Sequence, residues 1–273
     1  MTVLRYLCLT LLVVTFSGIS PAADPPYMWY ATYSINDYEG NGSCGRGNLQ
    51  RSHEGAAAFS AALEAMNLPN TNISYKYRRK DTECTAGRWT GAAAEVNMVD
   101  FVFYAGHGCG KGPVFGCNPE YTISNTNDIR FGGNGYLKWV QAASCSWFTE
   151  AEDDDCQSGL SPKVRWMPCL QGVHAIMGHK AKTWEYEYME EAARQFWNDW
   201  CVNGLEIWEA WRNSQAEWIY EHGGSIGIEP ATLGSSEKWG KEKFADAVDA
   251  PAPPPTSLDT AWLTRTRYGY PVY

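Results

Sequence analysis

Beyond its first 22 residues this 273-residue chain has no apolar run approaching the about 20 residues that cross a bilayer, which argues against a spanning helix in the mature protein. It also lacks an excess of positive charge. Its 22 Lys and Arg stand against 31 Asp and Glu, for a net charge of −9, so nucleic acid and anionic membranes are poor partners and basic or neutral substrates suit it better. Histidine is scarce. The five present form no His-Glu-x-x-His and no pair with zinc spacing, which argues against a zinc enzyme and leaves the expected metal list empty. There is no Gly-x-Ser-x-Gly elbow of a serine hydrolase, no internal repeat and no second domain.

What the chain does have begins with a leader. Arg5 gives Met1–Ala22 a positive start, Leu7 to Phe16 an apolar stretch and Ser20-Pro21-Ala22 a small-x-small cleavage site, so residues 1–22 read as a secretory signal. Export to an extracellular or periplasmic space is the expectation. Its removal leaves about 250 residues, enough for one large α/β domain, and a charge of about −10 because Arg5 is the leader's only charge.

Eight of the nine cysteines follow the leader, and an oxidising space favours disulfides. Local pairing would join Cys109 to Cys117, Cys156 to Cys169 and Cys44 to Cys84, leaving Cys145 and Cys201 as thiols. An even count would equally permit all eight to pair, and the sequence leaves the connectivity open.

Two apolar runs end in small, reactive clusters: Asp100-Phe101-Val102-Phe103-Tyr104-Ala105-Gly106-His107-Gly108, and Tyr136-Leu137-Lys138-Trp139-Val140-Gln141-Ala142-Ala143-Ser144-Cys145-Ser146. Each opens with β-branched and aromatic residues suited to a buried strand, so His107 and Cys145 are expected at strand tips, where an open α/β sheet keeps its chemistry. A thiol becomes a strong nucleophile once an imidazole takes its proton, and a neighbouring glycine lets backbone N–H groups reach a developing oxyanion. His107 and Cys145 are thus the candidate dyad, with the N–H groups of Gly108 and Cys145 as the oxyanion hole.

These two motifs, His-Gly first and Cys on the next core strand, resemble the caspase-like cysteine peptidases of clan CD, which include caspases, metacaspases, legumains and gingipains. The run Phe103-Tyr104-Ala105-Gly106-His107-Gly108 is closest to the metacaspase and gingipain versions. The Cys segment departs from the metacaspase form: Ala142-Ala143-Ser144 stands where an acidic residue precedes the Cys, and Ser146-Trp147 replaces a His-Ser-Gly run. The resemblance implies a three-layer α/β fold with a mostly parallel sheet flanked by helices, a dyad that needs no third carboxylate, and a protein or peptide substrate. The rival reading is a catalytically silent, disulfide-rich secreted binding protein on the same fold, with Cys145 oxidised.

Strands are expected over Trp29–Ile35, Ile73–Arg78 and Gly172–Gly178, and helices over Leu49–Asn67, over the Ala-rich Thr90–Met98 and over Glu185–Tyr220, the last interrupted near Asn203-Gly204. The tryptophans of that last helix, Trp197, Trp200, Trp208, Trp211 and Trp218, read as core. Domain bounds of 23–249 leave a Pro-rich spacer and aromatic tail at 250–273, which either packs back or meets a partner.

Related peptidases choose the residue before the scissile bond by pocket charge. Asp37 after the first strand, and Asp153, Asp154 and Asp155 after the Cys strand, are the candidates here and favour Arg or Lys. No cofactor is expected. The run from Glu150 to Asp155 keeps a calcium site in reserve, although its spacing matches no known calcium loop.

Overall fold

The computed structural model describes residues 27–39, 47–68, 71–116, 128–151, 159–180, 189–221, 229–247 and 251–265. The leader, Cys44, Cys117, Asp153, Asp154, Asp155 and Cys156 fall outside that set.

Among the described residues seven strands form one sheet: β1 (Tyr27–Ser34), β2 (Asn72–Lys80), β3 (Phe101–Ala105), β6 (Trp139–Ala143), β7 (Ala175–His179), β8 (Pro230–Gly234) and β9 (Trp262–Arg265), in the order β2-β1-β3-β6-β7-β8-β9. β4 (Gly108–Cys109) and β5 (Gly112–Pro113) make a separate small hairpin. The first five strands in that order run parallel; β8 pairs antiparallel with β7, and β9 pairs antiparallel with β8.

All five residues of β3 are buried, and β6 is buried through Ala142, which is why these strands read as continuous apolar runs and not as alternating ones. Their starts are tied together by Asp100. Its carboxylate accepts the Trp29 N–H at 2.8 Å and pairs with the Lys138 ammonium, and its carbonyl accepts the Lys138 N–H at 2.9 Å. A one-residue slip would break all three contacts and turn the core side chains outward, so the register is firmly set. Ser34, Ala105 and Ala143 therefore lie in one row at the carboxyl edge.

One face of the sheet is covered by α1 (Ser52–Glu64), α3 (Met189–Trp197) and α4 (Ile207–Glu221). In α1, Ala56, Phe59, Ala62 and Leu63 recur at helical spacing and bury against Phe101 and Phe103. Trp197, Trp200 and Trp211 are buried in this layer, as a core reading requires, and Trp208 lies half-buried against Trp262. Between α3 and α4 the chain widens into a π turn at Asn198–Val202 and then bends at Gly204, which has φ +68°. The other face is covered by irregular chain and the short α2 (Pro162–Trp166), with Trp89, Phe115, Phe131, Trp147 and Trp166 packed together. No helix among the described residues is long and apolar enough to cross a membrane.

Three expectations need correction. Thr90–Met98 is not an α-helix: Gly91 turns at φ +81°, and only a 3-10 turn forms at Glu95–Met98. The buried Asn97 explains this, because its amide donates to the Arg130 carbonyl at 2.7 Å while its oxygen accepts the Gly132 N–H at 2.8 Å, pinning a distant loop instead of a helical turn. Second, Cys84 and Cys169, expected in disulfides with Cys44 and Cys156, are thiols at 0% exposure in the sheet core. The Cys84 thiol donates to the Ser34 carbonyl, and burial pushes both thiols up in pKa. Third, the chain beyond the Pro-rich stretch is no appendage. Ala252 is buried with its N–H on the Gly172 carbonyl at 2.8 Å, and β9 pairs with β8, so the sheet extends past 249 to residue 265.

Candidate functional site at the carboxyl edge

β3 and β6 are adjacent and parallel with Ala105 opposite Ala143, so His107 and Cys145 stand two residues beyond one shared row. The two turns touch. A Cβ built on Gly108 would lie 2.1 Å from Ser144 Oγ, 2.7 Å from the Cys145 carbonyl oxygen and 2.7 Å from Trp147 Nε1, so only glycine lets the His107 turn approach the Cys145 turn this closely.

His107 is held from both sides of its backbone. Its N–H donates to Tyr38 Oη at 2.7 Å, and its carbonyl accepts Tyr104 O–H at 2.7 Å and Val114 N–H at 3.0 Å. Gly106 leaves room for both phenols, each of whose oxygens lies 2.6 Å from where a Cβ would be. Burial holds the Tyr104 phenol well above its ordinary pKa, so it remains a donor. The Tyr38 ring packs on the imidazole at 4.5 Å, and His107 Nε2 lies 2.9 Å from the Gly47 carbonyl. A carbonyl only accepts, so Nε2 carries a proton.

Cys145 is a partly exposed thiol, unlike the buried Cys84 and Cys169. Ser146 follows it at φ +57°, a left-handed turn for a residue with a side chain. The turn is braced from the interior. Phe148 N–H donates to the His179 carbonyl at 3.0 Å, the buried Arg165 guanidinium donates to Thr149 O at 2.9 Å, and Trp166 Nε1–H donates to Trp147 O at 2.7 Å.

His179, fully buried at the end of β7, lies between the Ser144 carbonyl (Nδ1, 3.1 Å) and the Gln215 side chain (Nε2, 3.0 Å). Burial lowers its pKa from 6.5 to about 4 despite these hydrogen bonds. A buried neutral histidine costs nothing above the unfolded pKa of about 6.5. As pH falls from there toward about 4 the unfolded chain takes up the proton first, and roughly 3 kcal/mol of stability is lost, with no further loss from this group below. Urea midpoints between pH 7 and 4 should therefore fall more steeply for the natural protein than for His179→Asn; parallel curves would contradict the burial argument.

Of the pocket candidates, Asp37 is exposed at the same edge, and its N–H donates to Asp81 Oδ1 at 2.9 Å. Burial works to raise the Asp81 pKa, but hydrogen bonds from the Asp37 and Asn36 N–H groups and from His53 outweigh it and hold the carboxylate below its ordinary value. Asp153, Asp154 and Asp155 lie outside the described residues, as does most of the acidic run considered for calcium. Among the described residues no cluster of three His, Cys, Asp or Glu side chains could hold a metal. Cys109 is disulfide-bonded, whereas Cys117, its expected partner, lies outside the described residues. A cavity of about 500 Å3 beside α5 (Glu237–Gly240) lies at the opposite edge of the sheet and is unrelated to this cluster.

The sequence reading did not assign Tyr38, Tyr104, Gly47, Arg165 or His179 to the site.

A family model described as a domain of unknown function, DUF6345, matches residues 32–265. The chain belongs to the DUF6345 family. The DUF6345 match runs from within β1 to the last residue of β9, so the family's domain takes in the sheet and both turns of the site. No curated protein and no solved structure matches the chain.

Proposed function

We propose that this chain is an exported cysteine endopeptidase on the caspase-like three-layer fold, with Cys145 as nucleophile and His107 as its base and acid. The observation that supports the reading is the abutment of the two turns at Gly108, which brings the backbone of the His107 turn against that of the turn carrying the partly exposed Cys145 thiol. His107 Nδ1 takes the thiol proton, and the Cys145 thiolate adds to the scissile carbonyl to give a tetrahedral oxyanion between the Gly108 and Cys145 N–H groups. The C–N bond then breaks, the amine leaves with the proton from His107, and a thioester remains on Cys145. Water adds to the thioester, its proton passes to His107, and the C–S bond breaks to release the acid and restore the thiol. The Gly47 carbonyl does the orienting work that a third carboxylate does elsewhere. The silent binding protein requires an oxidised Cys145, and the thiol found there favours the enzyme.

At the rim of the site Asp37, Asp81, Glu83 and Glu150 follow the strand ends and outnumber the lysines there, Lys80, Lys111 and Lys180, an acidic rim that supports a basic residue before the scissile bond. A positional library of peptide amides tests this: cleavage after Arg or Lys is the expected result, and consistent cleavage after Asp or Asn with Arg and Lys ignored would remove the acidic rim from substrate selection.

A further inference from the structure

We propose that His179 is a positioning residue for the oxyanion hole, holding the Ser144–Cys145 peptide so that the Cys145 N–H points at the His107 turn. The inference rests on the hydrolase reading above and deepens it. The Ser144 carbonyl and the Cys145 N–H belong to one trans peptide, whose C=O and N–H point in opposite directions. His179 Nδ1 takes the carbonyl from the β7 side of β6, so the N–H is turned to the β3 side, where Gly108 and His107 lie.

The Ser144 oxygen can only accept, so Nδ1 carries the proton, and Nε2 of the neutral ring needs a donor. The Gln215 side-chain amide lies 3.0 Å from Nε2 and supplies one when its nitrogen takes the place of its oxygen there. Trp211 closes the ring in at 5.2 Å, and its own Nε1–H donates to the Gly178 carbonyl at 3.1 Å. The same strand end also fixes the far side of the turn through Phe148 N–H on the His179 carbonyl. A hydrogen bond to a carbonyl oxygen polarises its amide, which makes the Cys145 N–H a better donor to a developing negative charge.

Two variants separate positioning from packing. His179→Leu removes the donor, whereas His179→Asn places an amide N–H near the position of Nδ1. Hydrolysis of a basic peptide amide needs the oxyanion hole, but alkylation of Cys145 by iodoacetamide forms no oxyanion and reports only the His107–Cys145 pair. H179L should lower kcat about 10- to 100-fold with KM unchanged and the alkylation rate held within about twofold, and H179N should recover kcat to within about threefold. Undiminished kcat in H179L, or loss of hydrolysis and alkylation together, would overturn the proposal. If H179L does not fold, H179N decides: kcat near the natural value supports it, and a tenfold loss with alkylation intact overturns it. Absence of hydrolysis in the natural protein would instead defeat the hydrolase reading. In that case the Cys145 amide nitrogen and Ser144 carbonyl carbon resonances still report the geometry, by moving in H179L and returning in H179N if His179 sets that peptide, and by staying put in both if it does not.

Discussion

Cys145→Ala should reduce peptide hydrolysis by about 10³-fold or more while leaving thermal stability nearly unchanged. In the proposed mechanism the thiolate forms the bond that carries the acyl group, and no other thiol of the described residues is placed to take over. Cys84 and Cys169 are fully buried, with their thiols pushed up in pKa, and Cys201 sits on the far helical layer with its thiol raised for the same reason. Removing one partly exposed sulfur opens no cavity, so the melting temperature should stay within about 3 °C. Cys84→Ala is the informative contrast: it empties a core position and should cost about 1–2 kcal/mol with the catalytic rate little altered. Initial rates and thermal melts on the two variants check both halves, and full hydrolysis by Cys145→Ala would end the nucleophile assignment.

Gly108→Ala should be nearly as damaging, for a steric and not a chemical reason. The added methyl would meet Ser144 Oγ at 2.1 Å and the Cys145 backbone oxygen and Trp147 Nε1 at 2.7 Å. None of these can swing away. Ser144 and Trp147 are buried, the Trp147 ring is stacked on Trp166 at 5.1 Å, and the carbonyl belongs to the braced turn itself. Relief has to come from separating the tips of β3 and β6, at a cost of roughly 2–4 kcal/mol and, under the proposed mechanism, with about a 100-fold drop in hydrolysis as the His107 and Cys145 turns part. Gly87→Ala, with nothing within 4 Å, serves as the neutral control. Urea unfolding and rate measurements that find Gly108→Ala close to the natural protein would show that the two turns are not in contact.

The parts of the site visible in the sequence are those carried by local pattern. β3 and β6 are buried on both faces, so they appear as unbroken apolar runs, and His107-Gly108 and Cys145 follow where the small residues begin. What holds those residues in place comes from far away in the chain. Tyr38 and Gly47 reach His107 across 69 and 60 positions, and His179 reaches Ser144 across 35, separations at which composition and periodicity carry no information. The cysteines misled for a related reason. Cys84 and Cys169 follow polar or Pro-containing segments that read as loops, but those segments fold inward and make the thiols core residues, which spacing alone does not reveal. In Thr90–Met98 helix propensity pointed one way and the hydrogen bonds of a single buried asparagine the other, and the tertiary contacts won. β9 was legible only as an apolar tail in need of a partner, which the edge of β8 supplies.

The pairing of His107 with Cys145 as an acyl-transfer centre is tested most directly by trapping the thioester. The natural protein is mixed with a basic acyl substrate, quenched in acid within one turnover, digested and mapped by mass. An acyl adduct on the peptide carrying Cys145, absent from Cys145→Ala and accumulating less in His107→Ala, is the expected result. Hydrolysis that proceeds with no adduct on Cys145, or with the adduct on another residue, would contradict it.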